Sequence, residues 1–470
     1  MSTSVRALFR LDDRDRILPR EQCERIARRI TSAASGGGTT ETWIQSWWAG
    51  ELRWARNRVS LAGDRRDITV TIRRAIRGAE GFASTNQLDD ISLAAAVQAA
   101  ERAARRMPPR PRDYETPHPP YEYARTAIWS DATYAQPAPE RGAAARAIID
   151  PAEAAGMLSA GYLAVRAETI AHVPAEDPPL YAASTHAQCS MTVRDPKGTG
   201  SGWAGASAYD VAAIAPQALA QRALEKCLAS RNPVALEPGR YTVILEPQAV
   251  HDLVSLILRP GTRIARWLPE SGGNGPFGAG YDASLRLHRS KLGRKVVDER
   301  VTISHDPSDP QLGVVPFGAN DEPFRPVTWI DHGILTALAD ERDYALRTRN
   351  DPFGTLNSES YRMSGGTASI EDMIRATKRG LLVTRLSNIT VLDSDSLLST
   401  GITRDGLWLI ENGTISKAVK NLRFTESPLF VLNSVEQLGV PVPVFSPGAP
   451  AIVPPLMAHD FSFTSVIDAV

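Results

Sequence analysis

The chain reads as an α+β protein in two parts, a mixed helix and strand N-terminal domain over 1–232 and a mostly β C-terminal domain over 233–470. Three observations lead there. Up to about residue 230, Ala-rich helical stretches interleave with alternating apolar and polar runs. After "NPVALEPGRY" (232–241) helices become rare and short apolar runs alternate with turns. Asn412-Gly413 then separates two alternating segments, and a type I′ hairpin turn, which needs positive φ at both central residues, selects that pair.

Taken in order, "REQCERIARRITSAA" (20–34) has helical spacing and is followed by a Gly/Thr loop, "SGGGTTET". The Trp-rich "WIQSWWAGELRWARNRVSL" (43–61) reads as one strand whose indoles belong to a core or an interface. "RRDITVTIRRAIRGAEGFAST" (65–85) alternates like a hairpin pair. "DISLAAAVQAAERAARRM" (90–107) is an Ala-rich helix that Asp90 can cap, with Arg102, Arg105 and Arg106 on a solvated face. The proline-dense "PPRPRDYETPHPPYEYA" (108–124) can neither continue a helix nor sit inside a sheet, so it is read as a surface connection. A second unit follows: "DPAEAAGMLSAGYLAVRAETIAHV" (150–173) as a helix, "QCSMTVRDPKGTGSGWAGASA" (188–208) as a hairpin, and "DVAAIAPQALAQRALEKCLAS" (210–230) as a further helix. In the tail, "SPGAPAIVPPLMAHDFSFTSV" (446–466) is strand and interface material, with Phe461 and Phe463 on one face of an alternating strand.

Composition narrows the function. The 470 residues are 43% apolar and 23% charged, enough to fill and cover real cores. Lys plus Arg and Asp plus Glu each count 53, so no global charge draws the chain to nucleic acid or to an anionic membrane. Neither a signal-peptide core nor a bilayer-length apolar run is visible, and a cytoplasmic protein is expected. Cys23, Cys189 and Cys227 are far apart with no CxxC spacing, and are expected as reduced thiols in cores.

Several motifs suggest chemistry. The Gly-rich "DPKGTGSGWAG" lacks the Lys followed by Ser or Thr that completes a P-loop, so a hairpin turn accounts for it better. "YTVILEPQAVHDLVSLILRP" (241–260) reads as a strand running into a helix on which His251 is followed by Asp252. A zinc helix needs a second imidazole one turn on, and the positions there are Ser255 and Leu256. Val250, Leu253, Val254 and Ile257 instead form an apolar stripe, as a core-facing helix requires. His288, His305, His332 and His459 lie near acids, but no two share a ligand spacing on one element, and turn or strand-end roles are expected. No GxSxG elbow is present.

In order along the chain, "NPVALEPGRYTVILEPQAVHDLVSLI", "SKLGRKVVDERVTISHDP", "FGANDEPFRPVTWIDHGIL", "ASIEDMIRATKRGLLVTRL", "TGITRDGLWLIENGTISKAVKNLRF" and "LFVLNSVEQLG" together resemble the TldD/TldE (PmbA) peptidase family. "LRWARNRVSL", "ITVTIRRAIRGAEGFAST" and "GTGSGWAGASAYDV" extend the resemblance more loosely into the N-terminal half. The resemblance implies a cytoplasmic heterodimer. Its TldD-type subunit carries an HExxxH zinc helix and a later Cys ligand, and its TldE-type subunit lacks them and completes a cavity around an extended peptide. Mapped here, the zinc helix falls at His251-Asp252-Leu253-Val254-Ser255-Leu256 and only the first His matches. Asp252 is one methylene shorter than the family's Glu, and no Cys follows Cys227. The resemblance therefore implies a TldE-like subunit with no zinc or other cofactor of its own, the zinc residing in a TldD-like partner. The chain departs from the family at "NDEP", with Pro323 in a Gly place, and at "VLDSDSLL" (391–398), which implies a divergent paralogue with its own partner. The alternative is a stand-alone peptide-binding or scaffold protein derived from the same family.

Overall fold

The computed structural model describes residues 15–35, 37–109, 122–175, 178–258, 277–282, 287–318, 321, 323–338 and 360–467. The proline-dense connection lies mostly outside these, as do Asn320 and Glu322.

The first sheet is antiparallel throughout. It is built from β1 (Thr39–Ala55), β2 (Arg58–Ile76), β3 (Ala79–Thr85), β4 (Leu158–Val173), β5 (Leu180–Arg194) and β6 (Ser201–Ala208), in the order β3-β2-β1-β4-β5-β6. Alternation along β1 turns Ile44, Trp48, Leu52 and Trp54 to one face, where they are buried. Helices α1 (Arg20–Ala33), α2 (Asp90–Ala104), α4 (Ala138–Ala154) and α5 (Pro216–Ala229) cover that face through Ile26, Leu93, Ile148 and Leu219 among others, with the short α3 (Asp131–Ala135) preceding α4.

The sheet contains a duplication. The order α1-β1-β2-β3-α2 recurs as α4-β4-β5-β6-α5, and the two units meet at the β1–β4 seam, which puts an approximate two-fold axis through the middle of the sheet. Each third strand lies so close to its following helix that only glycine fits. A Cβ on Gly81 would stand 2.2 Å from both Ala100 O and Ala104 N, and one on Gly202 would stand 2.1 Å from Ala223 O and 2.4 Å from Cys227 N.

Three sequence expectations change here. The segment 150–173 is not one helix, because α4 ends at Ala154, Gly156 takes φ +70, and Leu163, Val165, Ala167, Thr169 and Ala171 alternate inward along β4. The strand expected over 43–61 turns back at Arg56-Asn57, whose φ values of 52 and 62 make a two-residue turn without glycine. The cap of α2 is Asp89, whose carboxylate accepts from Ser92 N, while Asp90 pairs with Arg29. All three cysteines are free and buried.

The second half is rich in strands. β7 (Gly239–Leu245), β14 (Arg379–Asp393), β15 (Leu398–Glu411), β17 (Leu422–Glu426) and β21 (Leu456–Val466) pair in the ring β14-β7-β21-β17-β15, and β15 pairs back onto β14, so the five close into a barrel. β16 (Thr414–Ala418) and β18 (Val435–Leu438) add to it. The β15–β16 turn is Asn412-Gly413 with φ values of 49 and 80, as the sequence requires. Phe461 and Phe463 both point into the core, with ring centroids 5.0 Å apart. A second sheet, β12-β11-β10-β13-β20-β19, uses β10 (Ile303–His305), β11 (Val327–Asp331), β12 (Ile334–Leu335), β13 (Tyr361–Met363), β19 (Val442–Pro443) and β20 (Ala451–Val453). β8 (Gly278–Asp282) and β9 (Leu287–Ser290) form a separate hairpin, while α7 (Ile370–Ala376) and α8 (Pro428–Asn433) are short. Helix α6 (Pro247–Leu258) shares one core with barrel strands and with residues of the second sheet. Among the described residues no helix is long and apolar enough to cross a membrane.

Candidate functional site

Helix α6 follows β7 directly and is buried on most of its circumference: Val250, Leu253, Val254, Leu256, Ile257 and Leu258 are each at most 1% exposed. The stripe expected from spacing is present, and Leu256 extends it. The polar positions left to the helix are Gln248, His251, Asp252 and Ser255.

Each of these has structural work. Asp252 Oδ2 accepts from the Leu386 backbone N–H at 2.8 Å, fastening α6 to β14, and its Oδ1 accepts from Gln248 Nε2 at 3.0 Å. Gln248 also binds the backbone of Phe445 in both directions, accepting from its N–H at 3.1 Å and donating to its carbonyl at 3.3 Å. The Phe445 ring in turn lies edge-on to Tyr162 and Trp203 of the first sheet. A continuous chain of contacts thus joins barrel, helix and N-terminal sheet through the carboxylate of Asp252.

His251 Nδ1 lies 3.0 Å from the hydroxyl of Tyr361, with the rings nearly parallel. Tyr361 is fully buried, and burial, reinforced by the charge of Asp252, holds its phenol well above the usual range. The phenol therefore keeps its proton, and its hydroxyl shares a hydrogen bond with Nδ1. Ser255 Oγ donates to the Asp252 carbonyl at 3.4 Å, and Leu256 offers no lone pair. A zinc ion would find at this helix a single imidazole, a carboxylate engaged on both oxygens, and an apolar side chain at the second-imidazole position. The residues present do not fit a zinc site.

Among the described residues the other histidines do not supply one. His305 is 2% exposed and hydrogen-bonds through Nδ1 to Ser360 Oγ at 3.0 Å. Ser360 is also 2% exposed, so this Ser–His pair is closed to a substrate carbonyl. His332 and His459 sit exposed beside Asp331 and Asp460, and the His288 side chain lies outside the described residues. Among the described residues no three His, Cys, Asp or Glu side chains gather as a metal site. Burial pushes the thiols of Cys23 and Cys189 up to about 12, so neither is a thiolate nucleophile at neutral pH. The Gly-rich turn is a hairpin closed by Asp195, whose carboxylate accepts from Lys197 N at 3.1 Å and Thr199 Oγ1 at 2.5 Å.

One cluster escaped the sequence reading. His172 on β4 stacks on Trp43 at 4.2 Å, contacts the Asp321 carboxylate through Nδ1, and places Nε2 3.8 Å from Glu41. Arg73 pairs with Glu41 and Glu80 beside it, and Tyr123 donates to the Asp321 carbonyl. Asp321 of the "NDEP" stretch thus meets the face of the N-terminal sheet away from the helices. No spacing could have announced this, because His172 and Asp321 are 149 residues apart.

Two outcomes are expected from this geometry. Asp252→Ala should destabilise the chain by about 2 kcal/mol, because the buried Leu386 N–H loses an ionised acceptor. Urea unfolding checks it, and an unchanged midpoint would refute the structural role. Burial lowers the pKa of His305 to about 4, so the folded state stays neutral where an unfolded histidine, near 6.5, gains a proton. Stability should be fully present above about pH 6.5 and fall by about 1.4 kcal/mol per pH unit toward pH 4 from this residue alone. His305→Gln should flatten that slope in pH-dependent unfolding.

The profile of the PmbA/TldA metallopeptidase C-terminal domain matches residues 238–465, and that of domain 1 of the same family matches residues 48–104. A metalloprotease from Methanothermobacter thermautotrophicus is 24% identical over 159 residues, which is 32% of this chain and 35% of that protein. Among solved structures, TldE from Thermococcus kodakarensis superposes with a TM-score of 0.75 at 16% identity, over 94% of this chain and 99% of that one. A candidate modulator of a DNA gyrase from Thermotoga maritima superposes with a TM-score of 0.80 at 16% identity, over 94% and 100%. At such identities the structural likeness speaks for the fold.

Proposed function

The chain belongs to the PmbA/TldD metallopeptidase family, and on that premise we propose that it is a TldE-like, zinc-free subunit of a two-chain peptidase. Its TldD-like partner supplies the metal and the chemistry, and this chain completes the enclosure around an extended peptide in the cytoplasm. In this reading residues 233–470 carry the family's zinc-helix position.

The observation that carries the reading is the use made of α6. Where a peptidase subunit needs a free carboxylate to take a proton from metal-bound water, Asp252 holds Leu386 N–H and Gln248. Where it needs a second imidazole, Leu256 is 1% exposed in the core. The polar face of the helix is committed to holding the fold together, which suits a subunit relieved of catalysis.

The test is elemental analysis and peptide cleavage on the chain alone and after co-expression with a TldD-like partner. Zinc and cleavage are expected only in the complex, at about one metal per pair. Stoichiometric zinc with cleavage by the isolated chain would overturn the reading. A stable chain that captures no such partner would favour the stand-alone peptide-binding protein.

A further inference from the structure

We propose that the outer edge of β2, residues 58–69, is a docking edge for a second copy of this chain, which pairs with it antiparallel about a two-fold axis at Arg65. Strand β2 is paired to β1 along its whole length, but on its other side β3 covers only Val70–Ile76. Arg58 through Asp67 are all exposed, and among the described residues no backbone–backbone hydrogen bond outside the ladders reaches 58–69; the Ile68 N–H is met only by its neighbour Asp67, at 2.8 Å. A bare edge of that length is a template for another strand.

The duplication shows how such an edge looks when it is filled. In the second unit β6 likewise covers only Ala187–Arg194 of β5. There the remaining edge is met by the chain's own connection, with Thr185 N–H donating to Ile128 O at 2.8 Å and Ser130 N–H to Thr185 Oγ1 at 2.9 Å. Among the described residues the equivalent stretch of β2 has no such cover.

The chemistry of the edge selects the occupant. A charged edge normally repels neighbours, but this one reads Asp64-Arg65-Arg66-Asp67, with opposite signs adjacent; Asp64 already pairs through Oδ1 with Arg141 of its own chain, and its side chain stays 45% exposed. Residues that face each other across an antiparallel ladder share the same hydrogen-bonding phase, so an axis at Arg65 sets Asp64 of each chain opposite Arg66 of the other. It also sets Ala62 opposite Ile68 and Leu61 opposite Thr69, and Leu61 is 45% exposed in the single chain. The two central Arg65 side chains are each neutralised by their own Glu51 at 2.7 Å. An edge contact of this size makes a weak dimer, so association is expected in the micromolar range.

The experiment uses the full chain without a partner and reads neither metal nor cleavage, so its failure is separable from failure of the subunit reading. Sedimentation velocity should show a concentration-dependent dimer, and Arg66→Asp should weaken it about tenfold by placing like charges opposite each other. Arg65→Cys should cross-link to itself under mild oxidation while Gly63→Cys, which faces Asp67, should not; the native cysteines are buried and do not compete. A monomer at every concentration, a dimer indifferent to Arg66→Asp, or equal cross-linking at both positions would overturn the proposal. The last two outcomes would assign the contact to another surface.

Discussion

Leu256→His is expected to lower the unfolding free energy by about 3 to 5 kcal/mol and to bring no stoichiometric zinc with it. The substitution writes a second imidazole at the position a zinc helix needs. Leu256 is 1% exposed in the core shared by the barrel and the second sheet, so the new ring displaces packed apolar volume and buries polar nitrogens. Nor would Asp252 join it, since its two oxygens are held by Leu386 and Gln248. Urea unfolding with elemental analysis on the same sample checks both halves. A variant of wild-type stability holding about one zinc per chain would mean that the helix face is open and that the site is one substitution from a metal centre.

Gly202→Val and Gly81→Val should each cost about 3 kcal/mol or more, at or beyond the usual upper end for overpacking. Ordinary overpacking is relieved by side chains that swing aside, whereas here the obstacles are the backbone atoms of α5 and α2, which cannot move singly. A matched effect at the two sites is the signature of the duplication. Gly63→Ala, with nothing within 4 Å of its new Cβ, should be close to neutral and serves as the control. If either valine variant melts with the wild type, the close helix approach described for that unit is wrong.

What was legible in the sequence was local. Asn412-Gly413 announced its hairpin because the turn's φ requirement is met by those two residues themselves, and the stripe on α6 was visible because helical spacing repeats within a few residues. The strand β4 was misread because an Ala-rich run satisfies either period, and only its pairing between β1 and β5 decides. Arg56-Asn57 carried no glycine to mark a turn. His251, Asp252, Ser255 and Leu256 were found by spacing, but their work was not, since Leu386, Tyr361 and Phe445 reach them from distant stretches of chain. The closure of β15 onto β14 and the meeting of His172 with Asp321 are equally beyond sequence pattern.

The repeated unit also bears on how the chain reaches its shape. Within each repeat the strand contacts are hairpins, and a helix folds back on the third strand, so most contacts close short loops and each repeat can organise early. The β1–β4 seam is the exception, pairing Thr42 with Val173 and Trp54 with Gly161. During synthesis the first repeat is complete while the ribosome has yet to deliver β4. Until then the tryptophan-rich inner edge of β1 stands without its neighbour, and this nascent intermediate, not the finished protein, is where a chaperone or a misplaced strand has its opportunity.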